Sequence, residues 1–215
     1  MKAYKFRSAA QIGFAFDIII NNRLYCSNWK DLNDPMEGVF AYSHSLKDNS
    51  TITTQRIKAI SETKNNYKIC SLSETYDSHL LWAHYAGGFD GVAIEVDLPD
   101  NDSNIRKVEP RGVFAFIDMD KFTTEDEAAR SILFSKYEEW SYEKEIRILS
   151  ESPWFQLAKP VKRVIAGFRM SQALFDVLNI TCTNLGIELN RVGIGDTGID
   201  ADYVAPFKFF NRENK

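Results

Sequence analysis

Period-two hydrophobic alternation recurs along this chain in short runs, broken by helix starts at irregular intervals, and that irregularity limits the possible folds most. The clearest run is Gly91–Asp97, where Val92, Ile94 and Val96 alternate with Ala93, Glu95 and Asp97. Residues 2–7, Leu24–Ser27, Lys68–Ser73, Glu143–Leu149, Val161–Phe168, Ile187–Val192 and Val204–Phe210 read as further strands, and residues 105–118 as a hairpin turning near Pro110–Gly112. Ser8 with Gln11 and Thr124 with Glu127 have the spacing of capping boxes, the second opening a helix that runs towards Trp140. Three more helices are expected: over 51–62, from Asp77 or Ser78 to Tyr85, and from Ser171 to a stop at Gly186. The strands and about five helices follow no regular order and no repeat. The pattern predicts an α+β fold: a single domain over 1–215 with a mixed, largely antiparallel (split) β-sheet core and flanking helices.

The net charge of −4 is unevenly spread, with eight basic against eighteen acidic residues over 69–151. An acidic middle argues against duplex nucleic-acid binding as the main role. Cys26, Cys70 and Cys182 are odd in number, far apart and without a Cys-x-x-Cys, which suits reduced thiols in the cytoplasm and offers no zinc framework. Asp17 interrupts the apolar run Ile12–Ile20 and no stretch reaches the ~18 apolar residues of a membrane span, so neither a signal peptide nor a membrane segment is expected.

Chemistry concentrates in Glu143-Lys144-Glu145-Ile146-Arg147. On a strand, Glu143, Glu145 and Arg147 share one face with neighbours about 6.6 Å apart, and two carboxylates at that spacing raise each other's pKa unless a cation offsets them. The same pattern also describes a solvated strand face carrying a surface ion pair. Two other strands present polar pairs, Lys5/Arg7 and Ser71/Ser73, and three such faces side by side would line a cleft with cations, hydroxyls and carboxylates. Ser71 and Ser73 alone are equally at home on a half-exposed strand. Trp82 and Tyr85, three apart on a short helix, either stack on a flat ligand ring or fill the core. Asn33 and Asp34 precede Pro35 in a loop that either closes a site or forms an Asx turn. Gly193-Ile194-Gly195-Asp196-Thr197-Gly198 spells Gly-x-Gly-x-x-Gly, but too little chain follows for a dinucleotide fold, and a glycine-rich turn explains it. Glu95 and Asp97 leave a metal-dependent nuclease open as an alternative, although no lysine stands at the position such a site wants.

Two resemblances add to these readings. Tyr4-Lys5-Phe6-Arg7, Asn33-Asp34-Pro35-Met36-Glu37, Cys70-Ser71-Leu72-Ser73-Glu74, Leu81-Trp82-Ala83-His84-Tyr85, Gly91-Val92-Ala93-Ile94-Glu95 and Trp140-Ser141-Tyr142-Glu143-Lys144-Glu145-Ile146-Arg147 together resemble the bacterial family catalogued as domain of unknown function 2971. More loosely, Arg7, Ser71-Leu72-Ser73 and Glu143-Lys144-Glu145 resemble the ordered Arg/Ser-x-Ser/Glu-x-Glu pattern of ADP-ribosyltransferases, with a longer stretch between Ser73 and Glu143. That second resemblance implies cleavage of the nicotinamide–ribose bond of NAD and transfer of ADP-ribose to an acceptor macromolecule, in a toxin or phage-defence setting. It implies that Glu145 stabilises the developing positive charge and holds a ribose hydroxyl, and that Glu143 orients or deprotonates the acceptor. Arg7, Ser71 and Ser73 would then bind the nucleotide, Trp82 or Tyr85 would stack on nicotinamide, and Asn33 and Asp34 would close the site. A non-catalytic nucleotide- or partner-binding module is the other expectation; no metal is expected.

Overall fold

The computed structural model describes residues 1–43, 50–122, 124–195 and 198–200. The expected strand Val204–Phe210 lies outside them. The chain divides into two compact units, each assembled from separate stretches: one from Met1, Asn22–Glu74 and Asp97–Ala158, the other from Lys2–Asn21, Thr75–Val96 and the described residues from Lys159 on. The architecture is α+β, with mixed, mainly antiparallel sheet pairings.

In the first unit the strand Glu145–Ser150 runs between Lys68–Ser73 and Ile105–Lys107, antiparallel to both. Register sets Glu145 opposite Ser73 and Arg147 opposite Ser71, so the serine face and the Glu/Arg face adjoin. The helices Ser50–Asn66 and Glu125–Leu133 pack their apolar residues, Ile60, Ala128, Ala129 and Ile132, on Ala115 and Ile117. Thr124 caps the second helix by accepting from the Glu127 N–H at 3.1 Å. That helix ends at Leu133, short of the expected Trp140, and the chain turns into the strand Ser135–Tyr137 and a 3-10 helix at Glu138–Glu143. The early stop carries Lys136 into the interior, where buried carboxylates hold it.

Residues 105–118 do not form the expected hairpin. Ile105–Lys107 pairs with Glu145–Ser150, Glu109–Arg111 pairs in parallel with Ser135–Tyr137, and Ala115–Asp118 pairs in parallel with Phe40–Ser43. The Val108 and Glu109 N–H groups donate to the Glu145 and Phe134 carbonyls, so the backbone bonds a tight hairpin would make are committed elsewhere.

In the second unit Arg163–Ala166 pairs antiparallel with Val92–Asp97 and parallel with Glu188–Arg191, the latter joined through the helix Gln172–Leu185. Ser171 caps this helix, and Gly186 closes it in the left-handed conformation at φ 67°. The Ser8–Gln11 spacing acts differently from a capping box: a 3-10 turn spans Ala9–Gln11, Ser8 makes no side-chain cap, and the Ala9 N–H donates to Asp90 instead. Gly91 is required by close approach, since a Cβ there would lie 2.0 Å from the Arg7 carbonyl oxygen. In the glycine-rich segment Gly193–Gly195 runs antiparallel to Gly198–Asp200; residues 196–197, where the turn is expected, lie outside the described residues.

Candidate functional site

The first unit holds a cluster of ionised side chains that water barely reaches. Arg147 is 0% exposed, and Glu37, Glu143, Glu145 and Lys136 are all buried around it or next to it. A guanidinium has five N–H donors, and here all five are used. Nε donates to Glu145 Oε1 at 2.7 Å, and Nη2 donates to Glu145 Oε2 at 3.2 Å and Glu37 Oε2 at 2.7 Å. Nη1 donates to Glu37 Oε1 at 2.5 Å and to the Leu133 carbonyl at 2.6 Å. Lys136 Nζ donates to Glu143 at 2.5 Å and to Glu145 at 2.9 Å. Such geometry is what allows buried ions to offset their desolvation.

Local folding explains how these groups meet. Glu143 ends the 3-10 helix, Lys144 adopts a left-handed conformation at φ 43°, and Glu145 begins the strand. Glu143 and Glu145 are therefore not successive residues on one strand face, as their spacing suggested; the turn at Lys144 is what brings both carboxylates to Lys136. The Lys144 N–H donates to the Ser141 carbonyl and its own carbonyl accepts from the Glu74 N–H, which holds the turn from both sides. Ser73 Oγ donates to the Glu143 carbonyl at 2.7 Å, locking the same turn to the neighbouring strand.

Burial pushes the Glu145 carboxyl up, but the Arg147 and Lys136 charges, with hydrogen bonds from Arg147 and Ser71, outweigh it and hold the group at about 2. For Lys136 burial works against the charge, and Glu145 and Glu143 more than compensate, leaving the ammonium above its ordinary range. Glu37 is different: burial raises its carboxyl and Arg147 only partly offsets the rise.

This cluster opens on one side. A pocket of about 200 Å³ is lined by Lys136 and Glu145 at the cluster, by Tyr137, Trp140, Val108 and Pro110, and by Glu74, Lys107, Ser141 and Lys144. The volume is below the ~300–1,000 Å³ of sites for drug-sized ligands, so it takes one ring-sized portion of a ligand. Trp140 lies with its ring centre 5.2 Å from the Lys136 ammonium, and Lys107 is paired to Glu74 at 2.5 Å.

The residues singled out from the sequence divide between the two units. Glu143, Glu145, Ser71, Ser73, Asn33 and Asp34 belong to the first unit, and Arg7, Trp82 and Tyr85 to the second. Glu145 lines the pocket; Glu143 does not, its carboxylate being spent on Lys136. Trp82 cannot stack on a ligand as it stands. It is 0% exposed, stacked on Phe89, edge-on to Phe6, and donates from Nε1 to the Tyr76 carbonyl, which is the core reading of that helix. Tyr85 is half-buried against the same core. Arg7 is half-buried, with Nη1 donating to the Phe6 carbonyl at 3.3 Å. Asn33 is exposed, whereas Asp34 is buried and accepts from the Met36 N–H at 2.9 Å. That is an Asx turn, not a closing lid, and it serves to present Glu37 to Arg147.

Residues that sequence reasoning missed are Glu37, Lys136, Tyr137 and Trp140. Glu37 stands in the quoted Asn33–Glu37 segment and Trp140 just before the Glu-x-Glu segment, but nothing in their spacing announces a shared site. Glu95, the nuclease alternative, is engaged by Lys2 at 2.7 Å and Tyr4 at 3.1 Å. Among the described residues no three His, Cys, Asp or Glu side chains gather as a metal site, and no helix is long and apolar enough to cross a membrane. Comparison with family models, with curated proteins and with solved structures returned no match.

Proposed function

We propose that the protein cleaves the nicotinamide–ribose bond of NAD and transfers ADP-ribose, with Glu145 as the carboxylate that faces the developing charge. The observation that carries this reading is a carboxylate in the wall of a ring-sized pocket, held in its charged form by Arg147 and Lys136, beside two aromatic side chains. Breaking the glycosidic bond develops oxocarbenium-like charge on the ribose, and a fixed negative group placed there lowers the barrier without any proton transfer. So acidic a carboxyl is a poor base at neutral pH, so its role is electrostatic. Ser71 supports this role through its hydrogen bond to Glu145, and Ser73 through the Glu143 turn. Glu143 then acts by holding Lys136, and Trp140 with Tyr137 takes the stacking role in place of Trp82.

A second reading, a non-catalytic nucleotide-binding pocket, is favoured by one specific feature. Arg147 and Lys136 already neutralise Glu145, which weakens its pull on a further cation. Incubation with NAD separates the two. Nicotinamide release above buffer, reduced in S71A and abolished in E145Q, is expected, with a thermal melt of each variant to show that it is folded. Wild-type protein that binds NAD without releasing nicotinamide would establish the binding module instead.

A further inference from the structure

The pocket contains two cationic donors that its acidic residues do not use up. Lys136 spends two of its three N–H groups on Glu143 and Glu145, and the third meets no acceptor among the described residues, although its side chain is only 7% exposed. Lys144 lines the same pocket and pairs with no carboxylate among the described residues. The other lining charges are the Lys107–Glu74 pair and Glu145, so the lining carries three positive and two negative groups, with Glu143 bonded to Lys136 from outside the lining. Lys144 is also held in a backbone conformation that costs a non-glycine residue energy, and such strain concentrates where a side chain is aimed for function. A buried donor lacking an acceptor, a neighbouring cation lacking a counter-ion and a cavity between them are complementary to an anionic oxygen group.

From this we infer that the pocket binds the phosphoryl or carboxylate group of a small ligand between Lys136 and Lys144, with Trp140 and Tyr137 against whatever ring adjoins it. The inference concerns binding alone and does not need the bond cleavage proposed above. Charge-assisted hydrogen bonds to such a group are short and directional, and Lys144, near the surface, contributes a contact that salt screens.

Titration calorimetry on the full chain with inorganic pyrophosphate, AMP, nicotinate and, as uncharged controls, adenosine and nicotinamide tests it. AMP is expected to bind about tenfold or more tightly than adenosine, the worth of one charge-assisted contact. K144A is expected to remove that difference and K144R to restore it, and higher ionic strength to weaken it. Pyrophosphate binding without nicotinate binding assigns the phosphoryl source, and the reverse assigns the carboxylate. Equal affinity for AMP and adenosine together with no binding of nicotinate, or K144A indistinguishable from wild type while its melt is unchanged, overturns the inference. Anion binding without nicotinamide release from NAD would leave the inference standing and remove the catalytic reading; release with K144A unaffected would do the opposite.

Discussion

Two buried charges of the first unit, the Glu145 carboxylate and the Lys64 ammonium, are shielded from water to a similar degree but supported differently. Glu145 has two cations and a hydroxyl directed at it. Lys64, 3% exposed, donates to the Gly38 carbonyl at 2.5 Å and lies 4.5 and 4.9 Å from the ring centres of Trp29 and Phe40, with no carboxylate beside it among the described residues. Desolvation disfavours both charges, and what differs is compensation. Glu145 is held at about 2, on its charged side, whereas burial, reinforced by Lys30, lowers Lys64 to about 8, towards its neutral form. Burial by itself therefore does not decide a side chain's charge state; the formal charge of its neighbours does.

The harshest way to break the contrast is to remove the shared cation. R147M leaves Glu37 and Glu145 buried without their guanidinium and the Leu133 carbonyl without a donor, and should cost about 3–5 kcal/mol of unfolding free energy in urea titration. A loss below about 1 kcal/mol would mean that the cluster is wetter than its geometry indicates.

Acid should act on the same cluster more gently. Because Glu145 sits at about 2 when folded against an ordinary 4.5, its contribution is complete above pH 4.5 and is lost as pH falls towards 2. The loss is about 2 kcal/mol by that linkage, read from denaturant midpoints between pH 5 and pH 2.5. Glu37, raised by burial, has the opposite sign: its protonated form is favoured in the fold, so stability declines with rising pH just above 4.5. E37Q should remove that decline.

Lys64 sharpens the comparison from the other end of the pH scale. Its folded value of about 8 lies below the ordinary 10.5, so the unfolded chain holds the extra proton in that window and stability rises with pH from 8 to 10.5. The difference between wild type and K64M should grow over this range by up to about 3 kcal/mol, and a flat difference would show that the ammonium is solvated. The smallest effect expected is a gain of up to about 1 kcal/mol in K144G, which relieves the left-handed strain at φ 43° against a larger unfolded-state entropy.

Much of this fold could be read before any coordinates. Alternation located Val92–Asp97 and put Ser71 with Ser73 and Glu145 with Arg147 on shared faces, because strand side chains repeat every two residues whatever the surroundings; that the two faces meet is set by strand pairing. Thr124, Ser171 and Gly186 act as caps because their effect is local. Ser8 did not, since Asp90, far along the chain, supplies the acceptor instead. Glu143 leaves its expected strand and the helix stops before Phe134, and these two departures are what let Lys136 meet Glu143 and Glu145, contacts that no local propensity records.

What the chain determines locally is therefore its α+β character, the place of several strands and helix caps, and which residues share a strand face. Which charged residues become a site was decided only in three dimensions. Glu37 and Arg147 are 110 residues apart and Lys136 arrives from a third segment, and no local pattern records which ions will be desolvated together. The physical reason is that Coulombic and desolvation energies depend on distance and solvent access, which belong to the packed interior and not to the order of residues.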